Sequence, residues 1–206
     1  VVLLTTSQAA QELGCAVTTF RRLARTGVLP GLSRRGVRTV VPWEVVTALR
    51  DRPAASLEQH LPGREVAVLR VDAAQPTEED DRQWVGFSAA LSPEDLTRAL
   101  RGWWRCDAPS VAAAGVLPVT VAGFVVAILT GLGTWERDGR GRSCFTTAEL
   151  AGYVTDLAAP HLQLTAASAA DRALAQALLA TRLPSHSGGA IAYVTTPPAG
   201  RTPHQR

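Results

Sequence analysis

Apolar residues first recur at helical spacing near the start of the chain, where Phe20, Leu23 and Ala24 fall on one side of a segment spanning residues 17–26. Ahead of it, QAAQEL reads as a shorter helix, with Thr5-Thr6-Ser7 as its N-cap hydroxyls and Gly14 as its end. Cys15-Ala16 makes the turn between the two, and Gly27 stops the second. Leu29-Pro30-Gly31 then breaks the chain. Residues 32–41 change to strand character around SRRG, which predicts a hairpin with its tip at Arg34-Arg35-Gly36. Pro42 opens a third helix reaching about Arg50.

Beyond a proline-bearing stretch at 53–63, which reads as a linker, the pattern is mixed. A strand is predicted over 64–71, an acidic loop over 75–81 (QPTEEDD) and a short strand over 84–88. Ser92-Pro93-Glu94-Asp95 is a strong helix start, with a capping hydroxyl, proline at the first helical position and two acids on the dipole; that helix runs to about Gly102. Residues 133–145 carry Asp138-Gly139, a hairpin signal flanked by Trp135 and Phe145. Residues 148–156 and 169–181 read as helices, and 191–195 as a last strand. The Pro-rich tail from Thr196 is expected to fray.

One segment is apolar enough to raise a different solvent. Residues 111–133 carry no charge, and a bilayer span needs about 20 apolar residues. Yet Pro118, four glycines and two threonines make it a poor hydrocarbon solute. Its halves VLPVTV and FVVAIL are β-branched and meet at Ala122-Gly123, which predicts two buried strands joined by a tight turn.

Charge divides the chain unevenly. Residues 1–52 carry eight arginines against three acids, a net +5, while the rest carries −2. A polyanion would therefore meet the N-terminal part. All 21 basic residues are arginine, and Lys, Asn and Met are absent, a bias that a GC-rich coding sequence explains better than function. Three widely spaced cysteines, Cys15, Cys106 and Cys144, form no CxxC pair and no zinc spacing with His60, His161, His186 or His204, so they read as reduced thiols. No signal-peptide pattern opens the sequence, and the expected location is cytoplasmic.

Helix, tight turn, helix, basic hairpin, helix is the order a groove-reading module needs. The major groove of B-DNA, about 12 Å wide, admits one helix. If Phe20 and Leu23 face inward, Thr18, Thr19, Arg21, Arg22 and Arg25 are left to face the duplex, and the hairpin brings Arg34, Arg35 and Arg38 to the flanking backbone or minor groove. At this point LLTTSQAAQELGCAVTTFRRLARTGVLPGLSRRGVRTVVPWEVVTAL resembles the MerR/excisionase-type winged helix-turn-helix. Thr6, Ala9, Ala10, Leu13, Gly14, Thr19, Arg22, Gly27, Leu29 and Pro30 carry the match. The dimerising coiled coil of MerR regulators does not follow Arg50, so the likeness is to the smaller excisionase-like modules. It implies duplex binding.

The second half offers less. Ala99, Arg101-Gly102-Trp103-Trp104, Val125-Val126, Trp135, Arg182, Pro184 and Tyr193-Val194 resemble an uncharacterised bacterial domain with an RGWW motif. That resemblance implies a small β-barrel of the kind that reads modified bases, although Gly188-Gly189-Ala190 departs from its usual last strand. Trp103 and Trp104 are adjacent and cannot share one helix face, so Arg101, Trp103, Trp104 and Arg105 form a candidate second binding surface. Asp107, His161 and Ser185-His186-Ser187 lack any motif that would make a catalytic or metal site.

The expectation is an α+β protein: a winged helix-turn-helix over 1–52, a linker over 53–63, a mixed α+β domain over 64–195 and a tail over 196–206. It binds double-stranded DNA as a transcriptional regulator or architectural factor, without enzymatic activity or cofactor. One small module contacts few base pairs, so a homo-oligomer is expected, with room for a protein or small-molecule partner at the second domain. The alternatives are a protein-interaction adaptor of a phage-defence or plasmid system, and a membrane-anchored regulator using residues 111–133.

Overall fold

The chain opens with residues that cap, pair and brace a helical unit. The computed structural model describes residues 2–79, 81–186 and 188–198. Strand β1 (Leu3–Thr5) leads directly into helix α1 (Thr6–Glu12). The Thr5 hydroxyl accepts from the Gln8 backbone N–H, while the Gln8 side chain accepts from the Thr5 N–H, a reciprocal capping box. After the turn at Gly14, α2 (Val17–Ala24) buries Phe20 and Leu23. Strands β2 (Ser33–Arg35) and β3 (Arg38–Pro42) form the basic hairpin, and α3 (Trp43–Arg50) closes the unit by burying Val45, Val46 and Leu49. β3 lies between β1 and β2, so the first residues supply a third strand, with Leu4 opposite Val41. Sequence pattern gave no sign of β1, because three residues are too few to show alternation.

The expected linker is itself packed. It contains a turn of helix, α4 (Leu57–His60), whose Leu57 is buried together with Leu61. Its backbone is held at Arg182, whose N–H donates to Pro53 and whose carbonyl accepts from Ala55.

Then follow β4 (Glu65–Arg70), the short pair β5 (Gln75–Pro76) and β6 (Trp84–Val85), and helices α5 (Pro93–Leu100) and α6 (Ala108–Ala114). Ser92 caps α5 by accepting from the Asp95 N–H. β7 (Leu117–Val121) and β8 (Phe124–Thr130) form the apolar hairpin. Ala122 and Gly123 both take positive φ, 53° and 81°, as a two-residue turn with matching twist requires. β9 (Glu136–Arg137) and β10 (Ser143–Cys144) flank the Asp138-Gly139 turn, and β11 (Glu149–Asp156), β12 (His161–Leu164), α7 (Ala169–Leu178) and β13 (Ile191–Thr195) complete the order.

Six strands make one sheet in the order β12-β11-β8-β7-β4-β13, antiparallel except between β4 and β7. It is open, with β12 and β13 at opposite edges, so the expected barrel does not form. Every residue of β7 and β8 is buried. Residues 111–133 are thus the end of α6 and the sheet's central hairpin, and among the described residues no helix is long and apolar enough to cross a membrane. Residues 148–156, expected as a helix, are instead β11, held between β8 and β12. Gly152 is why they fit there: a Cβ would lie 2.9 Å from the Gln163 carbonyl.

The helical unit joins this sheet through backbone as well as side chains. Ala89 N–H donates to the Thr26 carbonyl at 2.8 Å, and Leu157 N–H to Val28 at 3.0 Å. Phe20, Leu23 and Val28 belong to the same continuous buried cluster as Phe124, Ile128 and Phe145. One core therefore serves both units. Phe20→Ala is expected to cost about 3–5 kcal/mol by opening a cavity in that core. It should lower a single unfolding transition, seen alike by tryptophan fluorescence and far-UV circular dichroism. Two separated transitions would show that the units unfold independently.

Candidate nucleic-acid interface

Burial of Phe20 and Leu23 fixes the rotation of α2 about its axis. Thr18, Arg21, Arg22 and Arg25 are left exposed, and Thr19 is half-buried at the margin. Arg21 and Arg22 lie in the last turn, where cations favour the helix dipole. The buried Thr26 hydroxyl donates to the Leu23 carbonyl at 2.7 Å and finishes that end of the helix.

The hairpin presents a second row of cations. Arg34, Arg35 and Arg38 are all exposed, and Arg35 stands directly opposite Arg38 across the pair of strands. Like charges facing across strands cost a few tenths of a kcal/mol. Val37 at the tip is 99% exposed, so the tip packs against nothing within the chain.

Helix and hairpin converge on one groove of about 730 Å³. Arg21 and Arg25 line one wall, Arg34 and Arg38 the other, and Thr5, Thr6, Ser7 and Thr39 add hydroxyls; no acidic residue lines it. The hydroxyls escaped sequence reading, because only the β1–β3 pairing brings the chain's start beside the hairpin. Two of the unit's three acids lie elsewhere, with Arg50 between Glu12 and Asp51 at 3.9 and 3.4 Å. Among the described residues, Arg21, Arg25, Arg34, Arg35 and Arg38 form no ion pair.

Not every predicted residue enters this groove. Arg22 turns to the opposite flank of α2, where its Nε lies 3.1 Å from a carboxylate oxygen of Asp72, just past β4. Thr19 lines the same flank. Thr18 and Arg35 are exposed outside the groove.

The tryptophan cluster is largely occupied by the chain itself. Trp104 Nε1 donates to the Leu100 carbonyl at 2.8 Å, and the Arg82 guanidinium lies over its ring at 5.5 Å. The Arg82 side chain is only 3% exposed and pairs with Glu79 at 2.6 Å. Glu79 also receives Arg142 at 2.9 Å, and Arg142 reaches Asp138 at 2.7 Å. The Arg142 backbone N–H and guanidinium hold the Asp138 carboxyl below the usual carboxylate range. Asp81 accepts from Trp103 Nε1 at 3.4 Å and faces Arg101 at 3.9 Å. The acidic loop is thus a clamp over these rings, and of the four residues only Arg105 is exposed. Burial raises the pKa of all three thiols, which keeps them protonated at neutral pH and poor nucleophiles. Cys106 lies beside the Ser143 hydroxyl. Among the described residues, no three His, Cys, Asp or Glu side chains converge as metal ligands. Ser185 and His186 line the flank cleft near Arg22, whereas Ser187, His204 and the tail from residue 199 lie outside the described residues.

Because Glu79 is only partly exposed, removing its buried partner should be costly. Arg82→Ala is expected to destabilise the fold by about 3 kcal/mol and to red-shift tryptophan emission as Trp104 meets water. An unchanged urea midpoint would mean the clamp carries no stability. Comparison with family models, with curated proteins and with solved structures yields no match to this chain.

Proposed function

We propose that residues up to about Arg50 are a winged helix-turn-helix and that the protein binds double-stranded DNA. One observation carries this reading: four arginines from two separate elements line a single groove that no acid lines. A chain gains nothing in its own stability from gathering unpaired like charges, whereas a polyanion with evenly spaced phosphates compensates all of them. On this reading the exposed face of α2 enters the major groove. Thr18, Arg21 and Arg25 reach base edges and phosphates, and the hairpin is the wing, with Arg34, Arg35 and Arg38 on the flanking backbone or minor groove.

The reading extends to a non-enzymatic regulator or architectural factor acting in the cytoplasm. The small footprint of one α2 favours a homo-oligomer that engages two half-sites about one helical turn apart. The resemblance to MerR/excisionase-type modules supports the assignment of elements, and the sheet domain serves as the platform holding them.

Binding to a labelled duplex, followed by fluorescence anisotropy over a salt series, tests the proposal. Arg21→Ala with Arg25→Ala, and separately Arg34→Ala with Arg38→Ala, should each weaken binding about tenfold or more. Each should also reduce the slope of log affinity against log salt by about one per lost phosphate contact. Affinity and slope unchanged in both double variants would rule the interface out.

A further inference from the structure

A helix seated in the major groove has a sugar–phosphate strand along each side. The groove is about 12 Å wide and a helix with its side chains about 10–12 Å across, so both strands lie against the flanks. In this protein the basic hairpin covers only one flank. The other flank of α2 abuts the sheet domain across a cleft of about 380 Å³. Thr19 and Arg22 line it from the helix; Arg70, Asp72, Ser185 and His186 line it from the sheet domain.

From this we infer a second phosphate site, built jointly by the helical unit and the sheet domain, that holds the DNA strand on the side of α2 away from the hairpin. The inference rests on the duplex-binding reading above. Its chemistry is that of a phosphodiester: two guanidinium groups, an imidazole and three hydroxyls, of which the buried Thr120 is already bonded to the Leu69 carbonyl, surround one opening. The mouth is polar, and its position is fixed by the shared core and by the backbone bonds at Thr26 and Val28.

Asp72 is the apparent obstacle, because a carboxylate at this mouth repels phosphate. Its contact with Arg22 explains how both coexist. At 3.1 Å, with the two side chains 57% and 61% exposed, this is a surface ion pair that water and salt weaken. An incoming phosphate takes the place of the Asp72 carboxylate on Arg22, and Asp72 turns to solvent. Asp72 thus keeps Arg22 extended toward the cleft in the free protein and lowers affinity by the repulsion that remains. The site predicts changes of opposite sign from neighbouring residues.

The test uses the full chain and a fluorescein-labelled duplex about 20 base pairs long, roughly two helical turns, titrated across a salt series. Asp72→Asn should tighten binding about threefold or more. Arg70→Ala with His186→Ala should weaken it about three- to tenfold and reduce the salt slope by about one. Since Arg70 also has contacts within the fold, Ser185→Ala with His186→Ala serves as the second variant, and thermal midpoints are recorded for each. Weaker or unchanged binding by Asp72→Asn, in a protein whose binding Arg21→Ala with Arg25→Ala weakens, overturns the second site and leaves the duplex reading intact. If the Arg21/Arg25 and Arg34/Arg38 double variants both bind like the parent, the duplex reading falls and this site with it.

Discussion

The hairpin of β7 and β8 is apolar apart from Thr120 and Thr130, and the surrounding elements are placed to keep water from it. Every side chain from Leu117 to Val121 and from Phe124 to Thr130 is buried, so both faces of the sheet's centre must be covered and both of its edges paired. β11 and β4 supply the edges. α7 packs on β8 and β11, and α6 on β4. The turn of this hairpin, at Ala122 and Gly123, lies beside Leu13, Gly14 and Cys15 of the helical unit. A helical unit of this size could hang on a flexible tether. Here the burial demand of the central hairpin draws it into the core, and Phe20 becomes a residue of both units.

That fusion determines what the arginines can do. The rotation of α2 is set by Phe20 and Leu23 from within, and its position by Thr26 and Val28 against the sheet domain. Arg21 and Arg25 consequently face the hairpin, while Arg22 faces Asp72. A helical unit on a flexible linker would leave this division open. With residues 53–63 pinned at Arg182, the two flanks of the helix are chemically distinct, one lined by cations and hydroxyls with no acid and the other shared with the sheet domain.

Local signals carried much of this in the sequence. Thr5-Thr6-Ser7 marked the first helix, Ser92-Pro93 marked α5, and Ala122-Gly123 marked the turn between two β-branched runs; each is a short-range effect of capping or backbone conformation. What local chemistry does not encode was lost. β11 reads as a helix because Glu149, Leu150 and Ala151 are helix formers, and only its two neighbouring strands make it a strand. The barrel failed because strand order and sheet closure are set by long-range pairing. The arginines of α2 were legible as exposed from the positions of Phe20 and Leu23. The partner of Arg22 was not, since Asp72 lies fifty residues away. The paired tryptophans suggested an open surface because nothing in RGWW shows that Arg82 and Asp81 will fold over them.

A helical unit that cannot pivot moves the burden of adjustment to its ligand. On the duplex reading, hairpin, helix and sheet domain meet the two strands at spacings fixed before contact. Where those spacings differ from relaxed B-form geometry, the duplex must bend, twist or narrow a groove to match. The energy of doing so depends on its base steps, being lower for flexible pyrimidine–purine steps than for stiff A-tracts. Selectivity then extends to base pairs that no side chain touches, and its origin is the hydrogen bonds that lock Thr26 and Val28 to the sheet domain.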